Sequence, residues 1–380
     1  MTMPSVRRGR VRMELVRTRR AAWGTVRRRP PLRRDAGGPH AFPGTKIRMT
    51  ATPSVVVTDF LDNSLATERA VLDGVAEIAA LGARCEEDLV GRIEEADALI
   101  VYHEVSLTRR TIERLARCRL IVRGGVGFDN VDGVFARQRG IALANVPDYG
   151  SEEVADSALG MLLSLARGIQ GCNSRLRADS SDLWSYRLAA PLVRLRGRVL
   201  GIVGLGRIGT AMALRAKTLG MEVLFYDPYK DDGYDRALGV RRAGSLAEVL
   251  EESLAVSLHC PLTEETHHMI DAAAMARLGP GAYLINTARG AVVDTAAVPA
   301  AIAAGRLAGA GIDVLPQEPP VEDDPLLLAW RDPAHPAHHR LLVNPHVAFY
   351  CEEGLEDVRR KAAEACRRVL LGKPPRNVVN

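Results

Sequence analysis

Residues 198–227, RVLGIVGLGRIGTAMALRAKTLGMEVLFYD, decide how the chain is read. An apolar, β-type run at 199–203 leads into Gly204, Gly206 and Gly209 at G-x-G-x-x-G spacing. Ile208, Met212, Leu214 and Leu219 follow at helical spacing, and a second apolar run, 223–226, ends on Asp227. The first glycine allows a tight turn, the second lets a pyrophosphate approach the backbone, and the third lets helix and strand pack closely. The unpaired N–H groups and positive dipole end of the new helix would face the phosphates. Asp227, 18 residues beyond Gly209, stands where a carboxylate accepts the ribose hydroxyls and repels a 2′-phosphate, favouring NAD over NADP. Three glycines alone are a weak signal; the strand before, the helix after and the terminal acid give the dinucleotide reading its context.

A chain of 380 residues is expected to form two domains, and 47% hydrophobic with 26% charged residues is the composition of a soluble globular protein. No apolar run reaches the roughly 18 residues of a membrane span. The six cysteines (85, 118, 172, 260, 351 and 366) form no C-x-x-C pair and no ligand cluster. No metal is therefore expected, and free thiols in a reducing, cytoplasmic setting fit better than disulfides. Residues 1–48 hold 13 Arg and one Lys against Glu14 and Asp35, a net of +12 within a total of +5, so 49–380 carries −7. The basic balance belongs to this leader, and nucleic-acid binding is not expected of the body. Three readings of the leader compete: a disordered or upstream-initiated extension with Met49 as a natural start, an Arg-rich targeting segment, or a polyanion-binding arm. It has no apolar h-region, which argues against secretion.

From Ser54 the pattern alternates strand and helix. Strands are expected at SVVVTDF, VAEIAA, 98–102 and 120–123, separated by helices near 64–73, 86–95 and 108–116. Such alternation builds a parallel sheet, and the glycine-rich RGGVGFDNVD (123–132) follows a strand end, where ligands collect in open α/β sheets. SEEVADSALGMLLSLARGI (151–169) reads as a long helix with a Ser N-cap joining two domains. Beyond Asp227 the expectation is helix 246–253, strand 254–260, helix 271–278, strand 282–287, helix 294–304 kinked by Pro299, and strands 309–314 and 341–343. The last helix, 353–371, is expected to return to the first half.

Three strand ends of the second half each carry one chemically apt group: Arg289 in INTARG, Asp313 and Glu318 in GIDVLPQEP, and His346 in VNPH. A guanidinium grips a carboxylate with two parallel hydrogen bonds, which lysine does poorly. Imidazole titrates near neutrality and can exchange a proton with a forming alkoxide. A carboxylate beside it favours the imidazolium and fixes the ring. Convergence of the three on the dinucleotide edge suits hydride transfer to a carbonyl next to a carboxylate.

RGGVGFDNVD, NVPDYGSEEVADSALG, GIVGLGRIG, FYDPY, SLHCPLTEETHHMI, INTARGAVVD, GIDVLPQEPP, NPHVAFY and the tail PPRNVVN together resemble the D-isomer-specific 2-hydroxyacid dehydrogenases. The likeness is strongest to the branch holding the C-terminal-binding-protein corepressors and their bacterial relatives. It implies two Rossmann/flavodoxin-like parallel-sheet domains with an interdomain active-site cleft: 49–148 plus 350–380 for substrate, 149–349 for NAD. It further implies Arg289, Glu318 and His346 as the catalytic trio, with NAD contacts at Arg207, Ile208, Asp227, His259, Cys260, Pro261, Thr266, Thr287, Ala288 and Asp313. Cys260 is expected to line the site rather than act as nucleophile. Val126 and Gly127 would offer backbone to the substrate carboxylate, and helix 151–169 would serve as the arm of a homodimer. Where the corepressors carry Ser and Trp, this chain has Val126 and Phe349, so their substrate preference does not carry over. His335, His338 and His339 lie in a long loop, 320–340, without partner acids at ligand spacing.

The resulting expectation is an NAD-dependent oxidoreductase of a small D-2-hydroxy acid and its 2-oxo acid. Two alternatives stay open: the same chemistry on a phosphorylated, phosphonate or phosphite-type oxoanion, as in a phosphoglycerate dehydrogenase, and an NAD(H)-sensing corepressor-like interaction protein.

Overall fold

β1 (Ser54–Val57), β2 (Glu77–Ala80), β3 (Ala98–Val101), β4 (Leu120–Arg123) and β5 (Ala142–Asn145) form one sheet, all parallel, in the order β2-β1-β3-β4-β5. The computed structural model describes residues 52–61, 64–178 and 184–380, so the leader lies outside the described residues. Every residue of β3 and β4 is buried, as expected of strands covered on both faces. Side chains alternate between the faces. Val55, Val57, Ile100 and Val122 join one core, while Val56, Leu99, Val101 and Ile121 join the core behind it.

β6 (Val199–Val203), β7 (Glu222–Tyr226), β8 (Arg241–Arg242), β9 (Ala255–Leu258), β10 (Ala282–Asn286), β11 (Leu307–Ile312) and β12 (Leu341–Val343) build the second sheet. It is parallel, in the order β12-β11-β10-β9-β6-β7-β8. Its strand order reverses between β6 and β9, and the crevice beyond such a switch point takes the ligand in open α/β sheets.

The last helix, Glu352–Leu370, does return to the first sheet. Its Val358, Ala362, Ala363 and Cys366 fill the core beside β3 and β4, and Arg359 reaches Glu68 through two hydrogen bonds of 2.6 and 2.7 Å. Several expectations need correction. The helix read as 151–169 ends at Ala166; Gly168 turns the chain with φ +63°, and a separate helix, Ile169–Ala178, follows. Ser151 is its first helical residue rather than its cap, the N-cap being Gly150. Pro299 kinks nothing, because it sits in the first turn of Val298–Ala303, where a missing N–H costs no bond. Helices 86–95 and 108–116 shrink to Glu86–Leu89 and Arg109–Ile112. The loop 320–340 contains a helix, Pro325–Arg331, capped by Asp324 and anchored by buried Leu326 and Leu327.

Candidate active site

The dinucleotide turn follows β6. Gly204 has φ +88°, and a Cβ on it would lie 2.7–2.9 Å from the backbone of His259 and Cys260, the loop leaving β9. A Cβ on Gly209 would meet the Gly204 carbonyl oxygen at 2.1 Å, so only glycine lets helix and turn close up. Gly206 instead faces open space at the N-terminus of helix Arg207–Thr218. Asp227 stands just past β7; its carboxylate accepts the Leu205 N–H at 2.9 Å and the Tyr229 N–H at 3.0 Å. Exposed helix N–H groups, an open approach and an acid at the second strand tip fit the pyrophosphate and ribose of NAD.

Arg289 leaves the end of β10 through Thr287 and Ala288. Its Nη1 donates to the Ala288 carbonyl at 2.8 Å and its Nε to Asp129 Oδ1 at 3.0 Å, across to the first sheet's glycine loop. Asn286 holds the Arg289 carbonyl at 2.9 Å. Gly127 makes room for the guanidinium: a Cβ there would sit 1.4 Å from Arg289 Nη2. Partial desolvation opposes ionisation of the Asp129 carboxyl, yet the charge and hydrogen bond of Arg289, a backbone hydrogen bond and the charge of Arg123 together hold it below the usual carboxylate range.

His346 has φ +54° and donates its N–H to the Asp313 carbonyl at 2.7 Å. The Asp313 carboxylate, 1% exposed, accepts the N–H groups of Val347 and Ala348 at 3.0–3.2 Å, fixing the loop that carries the imidazole. Burial raises the Asp313 carboxyl above its ordinary value despite those bonds. Nδ1 of His346 lies 2.6 Å from Glu318 Oε2, and Glu318 Oε1 accepts the Leu315 N–H at 2.8 Å. A carboxylate at Nδ1 favours the proton there and leaves Nε2 for the cleft. Burial opposes ionisation of Glu318, but the His346 hydrogen bond and charge together bring its carboxyl below the ordinary range.

One cavity of about 380 Å³ runs between the two sheets. Val126, Gly127, Gly206, Arg207, Ile208, His259, Cys260, Pro261, Thr287, Ala288, Arg289, Asp313 and His346 line it. Glu318 lines an adjoining pocket with His346 and Arg289. Gly204, Gly209, Asp227 and Thr266 stand outside its lining, the glycines shaping the turn and Thr266 bracing its own loop through the Pro261 carbonyl at 2.7 Å. Burial pushes the Cys260 thiol up to about 11, so it is a wall and not a thiolate. His259 is brought down to about 4 by burial; its Nε2 meets Ser257 Oγ at 2.8 Å while its Nδ1 is buried without a partner. Two of the loop histidines are spent on local bonds, His338 with the Trp330 carbonyl and His335 with the Ala337 N–H, while His339 Nδ1 is buried without a partner.

The sequence reading missed three groups. His103, just past β3, faces His346 with ring centroids 6.1 Å apart, and burial, then Arg123 and His346, brings it down to about 4. Arg123, the last residue of β4, is 7% exposed with its Nε unpartnered. Asp129 lies within the quoted glycine loop. The first two end strands of the first sheet, the same position that singled out Arg289 in the second, and that rule applied to both sheets would have found them.

Two parallel sheets meeting at a dinucleotide turn, with a guanidinium and a carboxylate-backed imidazole in the cleft between them, define a nucleotide-dependent dehydrogenase architecture. A family model described as D-isomer specific 2-hydroxyacid dehydrogenase, NAD binding domain, matches residues 159–348. The chain is 36% identical over 292 residues to a glyoxylate reductase of Korarchaeum cryptofilum, covering 77% of this chain and 85% of the relative. It is 33% identical over 310 residues to a D-3-phosphoglycerate dehydrogenase of Methanocaldococcus jannaschii, covering 82% of this chain but only 56% of that longer protein. A solved D-lactate dehydrogenase of Aquifex aeolicus, complexed with NAD and lactic acid, superposes with a TM-score of 0.75 at 28% identity, covering 84% of this chain and 96% of that one. The protein belongs to the D-isomer specific 2-hydroxyacid dehydrogenase family, and its second sheet is the NAD-binding domain of that family.

Proposed function

We propose that the chain interconverts a small 2-oxo acid and its D-2-hydroxy acid with NAD(H). The carrying observation is the placement of Arg289 beside Gly127 and of the His346–Glu318 pair on one cleft. In this reading Arg289 holds the substrate carboxylate with the edge that Asp129 leaves free, and the backbone of Val126 and Gly127 completes the grip. His346 gives the carbonyl oxygen its proton in reduction and takes it back in oxidation, while Glu318 keeps the ring oriented. Bound NADH supplies the hydride. Arg207, Ile208, Thr287 and Ala288 flank the cofactor, His259, Cys260 and Pro261 form its wall, and Asp227 selects NAD.

The same reading assigns 49–148 with 350–380 to substrate, 149–349 to NAD, and the cell's reducing cytoplasm as the setting for six free thiols. A homodimer through the arm expected at 151–169, extended by the segment that follows it, is supported by Ile169, Trp184 and Tyr186, which stand 59%, 88% and 81% exposed. A second reading, a substrate with a further oxoanion, is favoured by Arg123, a second buried guanidinium lining the cleft. Kinship to the corepressor branch rests on motifs alone. The test follows NADH consumption with glyoxylate, hydroxypyruvate, pyruvate, 2-oxoisovalerate and 3-phosphohydroxypyruvate. Turnover of an unphosphorylated acid supports the first reading and preference for the phosphorylated one supports the second. NADH binding without turnover of any would sink both.

A further inference from the structure

A second concavity, about 410 Å³ in volume, lies away from the cleft, between the C-terminal half of helix Glu352–Leu370, the tail 372–377 and the segment leaving β5. Five cations line it (Lys361, Arg367, Arg368, Lys373 and Arg376) against two carboxylates, Asp148 and Glu364. Both carboxylates are already engaged, Asp148 by Lys361 at 3.2 Å and Glu364 by Arg360 at 2.6 Å. Arg368 spends its Nε on the Pro374 carbonyl, which draws the tail over the groove. Among the described residues Arg367, Lys373 and Arg376 have no carboxylate within 4.0 Å. Residues 49–380 carry a net −7, so three unpaired cations gathered in one hollow run against the charge of the body. Like charges in a concavity repel one another and focus the field that draws a counter-ion in.

We propose that this groove binds a small phosphate-bearing anion and that the active cleft reads its occupancy. Two guanidinium forks and an ammonium suit phosphate oxygens, which accept paired hydrogen bonds. The hollow is of small-ligand size, which favours a metabolite over a polynucleotide. The route to the cleft is short. Asn145 lines both cavities. Its N–H donates to the Asn377 carbonyl at 3.1 Å in the tail, the neighbouring Ala144 pairs with Val378, and its side-chain amide donates to the Val126 carbonyl at 2.7 Å. An anion that draws Arg376 inward therefore pulls on the residue that holds the Val126–Gly127 loop. The link to catalysis rests on the function proposed above, whereas the binding does not.

The experiment titrates inorganic pyrophosphate into the full chain by calorimetry, with NADH saturating so that the dinucleotide site is filled and with ionic strength held constant. The full chain and a triple variant, Arg367→Gln, Lys373→Gln and Arg376→Gln, are compared, so the basic leader is the same in both arms. Saturable binding to the parent that weakens about tenfold or more in the variant is the expected result. Thermal melting checks that the variant folds, and Arg376→Gln alone gives a milder version of the same comparison. Equal affinity in parent and variant overturns the site, as does preference for a single-stranded oligonucleotide that the triple change abolishes. In the second arm, pyrophosphate is expected to shift KM for the oxo acid in the parent and not in the triple variant. Binding without such a shift overturns the coupling. A protein that binds pyrophosphate at the groove yet reduces no oxo acid overturns the proposed function and leaves the site standing.

Discussion

Replacing Gly127 with alanine is expected to disable the cleft while leaving the protein folded. The new methyl carbon would sit 1.4 Å from Arg289 Nη2 and 2.5 Å from its Cζ, where ordinary contact begins near 3.4 Å. The guanidinium must therefore withdraw by about 2 Å. Because Nη2 is the tip of a flexible side chain, the backbone need not follow. Stability should change little: removing a glycine's unfolded-state freedom contributes about 0.4–1 kcal/mol, and loss of the part-exposed Asp129–Arg289 pair costs a similar amount. Catalysis should change greatly, since each charge-assisted hydrogen bond from Arg289 to the substrate carboxylate is worth about 1.5–3 kcal/mol. Losing the two-bond grip, about 3–6 kcal/mol, corresponds to a fall of about 10²–10⁴-fold in kcat/KM. The assay is steady-state NADH oxidation with the best oxo acid of the panel, with NADH affinity by fluorescence and Tm measured alongside. In an Arg289→Ala background the glycine change should add nothing, because its target is already gone. A kcat/KM within threefold of the parent, or a full further loss in the Arg289→Ala background, would refute the reasoning.

His346→Asn is expected to lose about 10²–10⁴-fold in kcat near neutral pH with NADH affinity retained, the range typical of removing a proton donor; stopped-flow turnover and fluorescence titration separate the two. Asp227→Ala should weaken NAD and narrow its advantage over NADP, read as the ratio of kcat/KM for the two cofactors. Stability should fall as pH drops from 7 towards 4. His259 is held near 4 in the fold against about 6.5 unfolded, so across that window the unfolded chain takes up the extra proton. One such group contributes about 2–3 kcal/mol by this linkage; His259→Gln should flatten that part of a urea-melt pH series, and an unchanged slope would count against it.

Much of the site was legible because its parts are local. Gly204, Gly206 and Gly209 announce a strand-turn-helix whose spacing is set by backbone geometry, and Arg289, Glu318 and His346 each follow a recognisable strand. What the sequence reading lacked was the other wall. His103 and Arg123 look like ordinary loop and strand-end residues until β3 and β4 bring them opposite His346 and Arg289. The break at Gly168 and the capped helix inside 320–340 were misread for a related reason, since apolar spacing does not reveal where a left-handed residue or a proline ends one helix and starts another.

By itself, then, the sequence determined the alternation of strand and helix, the dinucleotide turn and the family, since these depend on periodicity and on residues close together in the chain. Only the tertiary structure decided that Asp129 claims one edge of Arg289, that Asp313 anchors the His346 loop, and that Asn145 touches two cavities at once. Those are contacts between residues far apart in sequence: the first exists because two sheets present their carboxyl ends to one cleft, the other two because each fold brings distant strand ends, loops and tail together.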